Sequence, residues 1–335
     1  MYASIPPFTV HTFDDSPLVS DCFVEHVDAT RLQQLINVKY DKPYTKDDRQ
    51  SRVLPYKSVR EHLQAIYSHV RDGELKVYYK VPKRQKRDQG RVFAHMSRSL
   101  ACLPKDVRGY LSNGNYTDHD VVNAHCTLIV DDAARGDIHL PTLHQYVHDR
   151  EANIKHICGA YKVDREIAKK LPLILIYGGS VRRWAKDNNV KYSSLTCEEN
   201  WTRDLQTIGK RLRKANKHTW DALRARIAKE NKQRKASGLP ARNAKSVMLS
   251  LYAQNLERRV IEHVYSKLDV SQRRGFSYSY DGFATRDTVK TEDLNTWSRE
   301  LFPSLTWQHK AFGGEDIRSS LTNTQTRTSW ISQTR

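Results

Sequence analysis

The amino-acid sequence predicts an α+β fold, on three observations. Apolar residues recur at helical spacing between 244 and 268 and form one side of a long helix. The segment 201–235 has similar spacing with many lysines and arginines, and it forms one long basic helix or a pair of helices. A strand-like run that ends near Asp120 and an alternating stretch around Asp281, typical of a β-hairpin, add the β-structure.

The remaining elements follow in chain order. Residues 1–75 combine polar loops with a helix in "SVREHLQAIYSHVRDG", and "LKVYYKV" predicts a strand that leads into a basic loop. The strand before Asp120 is followed by a helix over 123–134. The stretch "DREIAKKLPLILIYGGS" begins as an amphipathic helix, which Pro172 is expected to kink because proline removes a hydrogen bond. The tail from Ser319 is rich in Ser, Thr and Gln and is expected to fray.

Charge is the most informative feature of the composition. The chain of 335 residues is long enough for two or three lobes around a core, and its formal net charge is +18. The segment 201–245 holds 14 Lys and Arg against three acids. A positive field favours polyanions, nucleic acid first. A generic basic protein and a protein that binds an acidic membrane surface remain as alternatives.

The sequence shows no sign of export or membrane insertion. It has no apolar run that could span a bilayer, and the N-terminus lacks both a signal-peptide core and an Arg-rich targeting pattern. The five cysteines are scattered and include no CxxC pair. We therefore expect an intracellular protein with reduced thiols, no zinc site and no membrane partner.

Two aspartates are candidates for catalysis. Asp120 follows the end of a strand, and Asp281 lies at the tip of the predicted hairpin. Carboxylates on neighbouring strand ends suit a two-metal site for phosphoryl transfer, because Mg²⁺ prefers hard oxygen ligands. Each residue also has an ordinary structural interpretation. Asp-Gly is common in type I′ turns, and an aspartate after a strand often serves in a turn or as a helix N-cap.

A line of functional candidates occurs in the stretch 164–180. Arg165 and Lys169 are four residues apart and share one helical face, and Leu173 and Tyr177 continue the same line. Such a helix can hold phosphates at one end and a base and sugar at the other. The alternative is a solvated cationic face.

Taken together, the order and spacing of these residues resemble the core of family A DNA polymerases and the related single-subunit RNA polymerases. Asp120 matches motif A and Asp281 matches motif C, 49 residues before and 112 residues after Lys169. The match to motif B consists of Arg165, Lys169, Leu173, Tyr177 and Gly178. The phrases "DVVNAH", "KKLPLILIYGGS" and "YDG" look closest to a branch found in transposons and virophages, where it is commonly joined to helicases. The resemblance covers about 90–285.

The resemblance implies a right-hand polymerase palm, an antiparallel sheet backed by helices, with inserted helical fingers. It divides the chain into an N-terminal helical and polar region that is a thumb remnant or accessory (1–75), a first part of the palm with motif A (76–135), helical fingers with motif B and the basic segment (136–242), a second part of the palm with motif C (243–318) and a flexible tail (319–335).

The resemblance also implies a role for each matched residue. Asp120 and Asp281 would hold two Mg²⁺ or Mn²⁺ ions. Lys169 would contact the incoming triphosphate and could protonate the leaving pyrophosphate, and Arg165 would pair with the triphosphate. The three remaining positions would be Tyr177 against the nascent base pair and sugar, Leu173 in the nucleotide site, and Gly178 where the template approaches closely.

The sequence departs from the family pattern at several positions. Tyr280 stands where the family usually has His, and Gly282 where DNA polymerases often have Glu. His125 takes the place of a sugar-gating Glu, and Leu173 is aliphatic as in the RNA polymerase branch. These differences leave the sugar preference open, with a lean toward tolerance of ribonucleotides. His125 is also compatible with an ordinary helix position.

Further residues are candidates for contacts with nucleic acid. Gln254 and Glu257 share a face of the helix before motif C, and Arg91 and Arg108 precede motif A. Arg211 and Lys214 represent the basic segment, which could follow a phosphate backbone. A solvated helix face is the alternative for the residues on helices.

We therefore predict a template-directed nucleotidyltransferase, a DNA or RNA polymerase or a primase-type enzyme, from a virus or mobile element. Its partners would be a nucleic-acid template or primer, nucleoside triphosphates and a helicase or other replication protein. Two alternatives remain: a non-catalytic nucleic-acid-binding protein with a decayed palm, and a metal-dependent nuclease. The presence of both aspartates and Lys169 counts against a non-catalytic protein. A nuclease does not need the motif B helix, so that helix counts against a nuclease.

Overall fold

The computed structural model of the protein describes residues 4–38, 40, 42–44, 54–82, 88–112, 114–191, 196–310 and 317. In these ranges the chain is mainly helical with small antiparallel sheets, which confirms the α+β class. The helices are α1 (Pro17–Ser20), α2 (Ala29–Asn37), α3 (Val59–Tyr67), α4 (Lys105–Ser112), α5 (Ala124–Arg135), α6 (Pro141–His148), α7 (Arg150–Tyr161), α8 (Arg165–Ala168), α9 (Lys170–Ile176), α10 (Val181–Asp187), α11 (Thr196–Ala215), α12 (Lys217–Ala236), α13 (Ala244–Lys267), α14 (Val270–Arg273) and α15 (Thr291–Arg299). The strands are β1 (Phe23–His26), β2 (Glu74–Val77), β3 (Tyr79–Lys80), β4 (Phe93–Ala94), β5 (Thr117–Val121), β6 (Ser277–Tyr278), β7 (Gly282–Thr285) and β8 (Trp307–Lys310). The predicted tail, 319–335, lies outside the described residues.

A four-stranded antiparallel sheet carries the two candidate aspartates. Its strand order is β6–β7–β5–β8, so β5 has a neighbour on each side. Asp120 on β5 is opposite Gly282 of β7 and Gln308 of β8. The predicted strand near Asp120, the helix after it and the hairpin around Asp281 are all confirmed.

The long helix α13 crosses the core and packs against α5 and α15. The apolar side predicted from the sequence is buried, and so are the ionisable residues Arg258, Arg259 and Glu262. Arg258 donates from Nε to Glu262 at 2.7 Å and also pairs with Asp88. Because a buried charge is costly unless it is paired, these contacts fix how α13 sits in the core.

The N-terminal segment is tied to three helices by backbone hydrogen bonds. The Phe8 N–H donates to Asp132 of α5 at 2.7 Å. The Val10 N–H donates to the Asn216 side chain at 2.7 Å, at the junction of α11 and α12. Asn255 of α13 both accepts from and donates to the backbone of His11. The polar loops predicted for this region are therefore held against the core.

The predicted kink in the motif B helix occurs at Lys169, where α8 ends and α9 begins. The ring of Pro172 crowds the carbonyl of Ala168, four residues earlier, and Pro172 has no N–H to offer it. Helical structure nevertheless continues to Ile176, so the helix extends past Lys170 as the pattern predicts.

The basic segment 201–235 forms a pair of helices, α11 and α12, rather than one long helix. Its apolar side is buried at Ile208, Leu212, Leu223 and Ile227, while most of its lysines face solvent. None of the helices in the described ranges, this pair included, is long and apolar enough to cross a bilayer.

Candidate active site

Strand pairing brings the backbones of Asp120 and Asp281 together. The Val121 N–H donates to the Asp281 carbonyl at 3.1 Å, directly after Asp120. The two strands come unusually close at Gly282, where a Cβ would lie 2.2 Å from the carbonyl oxygen of His119. Any residue larger than glycine would push β7 away from β5. The contact between β5 and β7 therefore requires glycine at position 282.

The loop that carries Asp281 is not a simple type I′ turn. The Ser279 N–H donates to the Gly282 carbonyl at 3.0 Å, so the central residues are Tyr280 and Asp281. A type I′ turn requires positive φ at both, and Asp281 does not have one. The positive φ, 72°, belongs instead to Tyr280. The ring of Tyr280 lies under the Arg91 guanidinium, 4.5 Å from the ring centroid, and near the edge of Phe93. The type I′ interpretation of Asp-Gly is therefore wrong, and Asp281 follows a residue whose positive φ is strained.

A largely buried hydrogen-bond chain, Arg91–Glu257–His125–Tyr177, contacts this loop through Arg91. Glu257 is only 2% exposed and accepts from Arg91 Nε at 2.8 Å and Nη2 at 2.6 Å. It also bonds His125 Nε2 at 2.7 Å, and His125 Nδ1 bonds the Tyr177 hydroxyl. Since a carboxylate can only accept, Nε2 carries the proton, and in a neutral ring Nδ1 accepts from Tyr177. The chain thus fixes the orientation of the Tyr177 side chain at the end of α9.

The charges in this chain shift the pKa values of two carboxyl groups in opposite directions. Burial disfavours ionised Glu257, but Arg91 and His125 outweigh it and lower the pKa of Glu257 to about 2. Burial, with the negative charges of Glu257 and Asp120, raises the pKa of Asp281 to about 6. At neutral pH the Asp281 carboxylate therefore lies in an unfavourable anionic environment, which a bound cation would relieve.

Asp120, whose side chain is 18% exposed, has its own partners on β8. Lys310 forms an ion pair with Asp120, and Gln308 Nε2 donates to Asp120 at 3.4 Å. Asp118 lies two residues earlier on β5, and burial raises its pKa, with the charge of Asp120 adding to the effect. Sequence patterns did not predict Lys310 and Gln308 as site residues, because only the β5–β8 register brings this distant strand to the site.

The donor chemistry of Asp120 and Asp281 fits a hard divalent cation. Within the described ranges no group of three or more His, Cys, Asp or Glu side chains is arranged to hold a metal ion. The two carboxylates are therefore a partial ligand set. Mg²⁺ accepts such a set readily, since it commonly keeps several waters and takes further oxygens from substrate phosphates.

The motif B cations lie on an exposed surface and are already paired with carboxylates. Arg165 makes two bonds to Glu151, at 2.7 Å and 3.1 Å, and Lys169 Nζ is 2.5 Å from Glu166. Leu173 is 42% exposed on the next turns of the helix. Ion pairs this open to water are weak, so a phosphate group can displace them. Both the triphosphate role and the solvated-face alternative are compatible with this placement.

Gly178 terminates α9 in a Schellman motif. Its N–H donates to Leu175 at 2.8 Å, the Gly179 N–H donates to Ile174 at 2.8 Å, and Gly178 has φ 73°. A Cβ at Gly178 would lie 2.8 Å from Ser246 Oγ. The glycine is thus required by the helix end and by the contact with α13. Its predicted closeness to a template stays a prediction.

The nucleic-acid candidates are distributed unequally. Glu257 is 2% exposed and is bound by Arg91 and His125, so its side chain presents little surface to a ligand, and its predicted contact with nucleic acid stays a prediction. Its partner Arg91 keeps 22% of its side chain exposed. Gln254 and Arg108 are half-buried, while Arg211 and Lys214 are exposed on α11.

Comparison with known proteins gives one sequence relative of note. A protein of the Sputnik virophage named "Putative helicase V13" is 32% identical over 197 residues. The match covers 58% of this chain and 24% of the virophage protein, so this chain matches only about a quarter of that relative. No protein-family model matches the chain.

Among solved structures, the POL domain of Pol1 from M. smegmatis, in complex with DNA primer-template and dNTP, aligns with a TM-score of 0.40 at 11% identity. The alignment covers 76% of this chain and 51% of that one.

Proposed function

We propose that this protein is a template-directed nucleotidyltransferase that adds DNA or RNA nucleotides by metal-assisted phosphoryl transfer. The observation that carries the proposal is the convergence of three elements. Asp120 lies on β5, Asp281 lies directly before β7 and is bonded to β5 through the Val121 N–H, and Tyr177, from the end of the cationic helix, joins the hydrogen-bond chain whose charges act on Asp281. A nuclease needs the carboxylates but has no use for a helix that combines two cations with a fixed aromatic ring.

Each residue of the site has a defined task in this proposal. Asp120 and Asp281 would hold two Mg²⁺ ions, which stabilise the charge that develops during an in-line displacement. Arg165 and Lys169 exchange their carboxylate partners for the triphosphate. Lys169 then gives a proton to the leaving pyrophosphate. Tyr177, oriented through His125, offers its ring to the nascent base pair and sugar.

The virophage relative supports a role in the replication of a virus or mobile element. The part matched by this chain is a quarter of a protein named as a helicase. We propose that this part is a polymerase module, which acts beside or is joined to helicase activity. Single-stranded template, primer and nucleoside triphosphates are the other partners of this proposal.

Primer extension tests the proposal directly. The protein is given a labelled primer on DNA or RNA template with dNTPs or rNTPs and Mg²⁺. We expect extension by the wild type and a loss of at least about 1,000-fold in Asp281→Asn, because a metal ligand at the reacting phosphate is removed. Asp187→Asn, which removes an exposed carboxylate paired with Arg183, is the matched control and should stay active.

The other outcomes are equally informative. Binding of primer-template without incorporation under any pairing would show a non-catalytic binding protein. Shortening of the primer that depends on Asp281 would show a metal-dependent nuclease. Extension that persists in both Asp281→Asn and Asp120→Asn would place the reaction elsewhere in the molecule.

A further inference from the structure

A cationic groove opens directly behind the Gly178–Gly179 turn. It has a volume of about 430 Å³ and lies between α11 and the start of α13. Its lining combines glycine backbone with Lys210, Arg213, Lys245 and the indole of Trp220. Gly178, which lines the groove, therefore directly follows Tyr177 of the candidate active site.

The positive charge of this groove is not neutralised by nearby acids. Within the described ranges no ion pair is found for Lys210, Arg213 or Lys245. Of the three acids in the basic segment, Asp221 is exposed and lines the adjoining groove along α12, and the other two are engaged elsewhere. Asp204 accepts from backbone N–H groups at the start of α6, and Glu230 pairs with Arg226 and Arg242. The lysines and arginine of the groove are thus available to a polyanion.

Trp220 supplies an aromatic surface among these cations. The Arg213 and Arg224 guanidinium groups lie 5.8 Å and 6.0 Å from the centre of its ring. Beyond it, a shallower groove of about 560 Å³ runs along α12 and is lined by Arg224, Arg242 and Asn243. Asn243 lines both grooves, so the two adjoin at this residue, and together they are called the path.

We propose that this path binds the unpaired strand of a nucleic acid, the template ahead of the active site, with one base stacked on Trp220. Phosphates contact Lys210, Arg213 and Lys245. The occupant is single-stranded, because an aromatic ring in a recess can stack only on a base that has left its helix. DNA and RNA share this chemistry. That the strand is a template rests on the proposed function, whereas the binding itself does not.

The test measures the binding of labelled oligothymidylate and oligouridylate by fluorescence anisotropy at several salt concentrations. In the triple variant Lys210→Ala, Arg213→Ala, Lys245→Ala, we expect at least about ten-fold weaker binding and a salt slope lower by about two, since each phosphate contact contributes about 0.7. The matched control is Lys229→Ala, Lys232→Ala, Lys235→Ala, which removes equal charge from exposed positions of α12 outside both grooves. Equal losses in the two triple variants would overturn the proposal.

Stacking is tested separately at Trp220. We expect Trp220→Ala to weaken single-strand binding about ten-fold and Trp220→Phe to retain most of it, because a smaller ring still stacks. Equal affinity of all three proteins would exclude a stacked base. A loss in Trp220→Phe as large as in Trp220→Ala would also count against stacking. Comparing the two oligonucleotides shows whether DNA or RNA is preferred.

The two proposals fail in different ways. If single strands bind with the expected dependence on Trp220 but no nucleotide is ever incorporated, the polymerase proposal fails and the groove stands. If primers are extended normally, and the groove variants neither weaken binding nor change the dependence on template overhang, the groove fails and the polymerase stands.

Discussion

The two arginine–glutamate pairs near the candidate site differ in their exposure to water. The pair Arg91–Glu257 has side chains that are 22% and 1% exposed, and the carboxylate is shared with His125. The pair Arg165–Glu151 has side chains that are 51% and 64% exposed. The buried pair fixes side chains around Asp281 and Tyr177. The exposed pair keeps a guanidinium extended at the surface, where a phosphate can replace its partner at little cost.

The largest expected difference between the two pairs is in stability. Glu257→Gln leaves Arg91 without its charged partner in a buried place, and we expect the free energy of unfolding to fall by about 3 kcal/mol or more. Glu151→Gln should change it by less than about 0.5 kcal/mol, because both partners face water. Urea denaturation of the two variants measures the contrast. Similar losses would show that the exposed pair is structural too.

The exposed surface should matter more for catalysis than for stability. We expect Lys169→Ala to lower kcat about 100-fold, since a proton donor to the leaving group is removed. Its melting temperature should match the wild type, because the Lys169–Glu166 pair is exposed. Lys186→Ala, from the exposed end of α10, is the matched control. A lower melting temperature with an unchanged kcat in Lys169→Ala would show that Lys169 stabilises the fold and does not act in catalysis.

The stability contribution of the buried groups around Asp281 depends on pH. The pKa of Asp281 is raised to about 6 by burial and by neighbouring Glu257 and Asp120, so its ionisation disfavours the folded state. This penalty is absent below the ordinary pKa of 3.8, grows as the pH rises and is complete above about 6. We therefore expect Asp281→Asn in EDTA to be more stable than the wild type at pH 7, by about 3 kcal/mol.

Thermal unfolding from pH 4 to pH 8 checks this sign. The stabilisation of Asp281→Asn should shrink toward zero at the acidic end, and added Mg²⁺ should stabilise the wild type more than the variant. A variant less stable than the wild type at every pH would contradict it. Glu257 acts in the opposite direction: its lowered pKa contributes stability above 4.5 that is lost as the pH falls toward about 2.

The smallest expected effect concerns the sugar. Tyr177→Phe removes the hydroxyl that bonds His125, a hydrogen bond whose loss corresponds to about five-fold. We expect the ratio of kcat/KM for deoxyribonucleotides and ribonucleotides to move toward one by about that factor, because the ring is less firmly oriented. Tyr67→Phe, on the exposed end of α3, is the control. An unchanged ratio would show that the hydrogen bond from Tyr177 to His125 has no influence on sugar selection.

Local patterns were enough to predict most elements near the site. The strand before Asp120, the helix after it, the hairpin of Asp281 and the kink caused by Pro172 all follow from neighbouring residues. The spacing of Gln254 and Glu257 was less informative. Their spacing places them on one face of α13, but it does not show whether that face meets solvent or protein.

The sequence by itself determined the identity of the candidate carboxylates and cations and their places at strand ends and on a helix, because periodicity and turn chemistry act over a few residues. Only the tertiary structure decided which of them are buried and which partners they bind. It placed Glu257 between Arg91 and His125, and Lys310 beside Asp120. These contacts join residues more than a hundred positions apart, and strand register and helix packing, which depend on the whole core, set them.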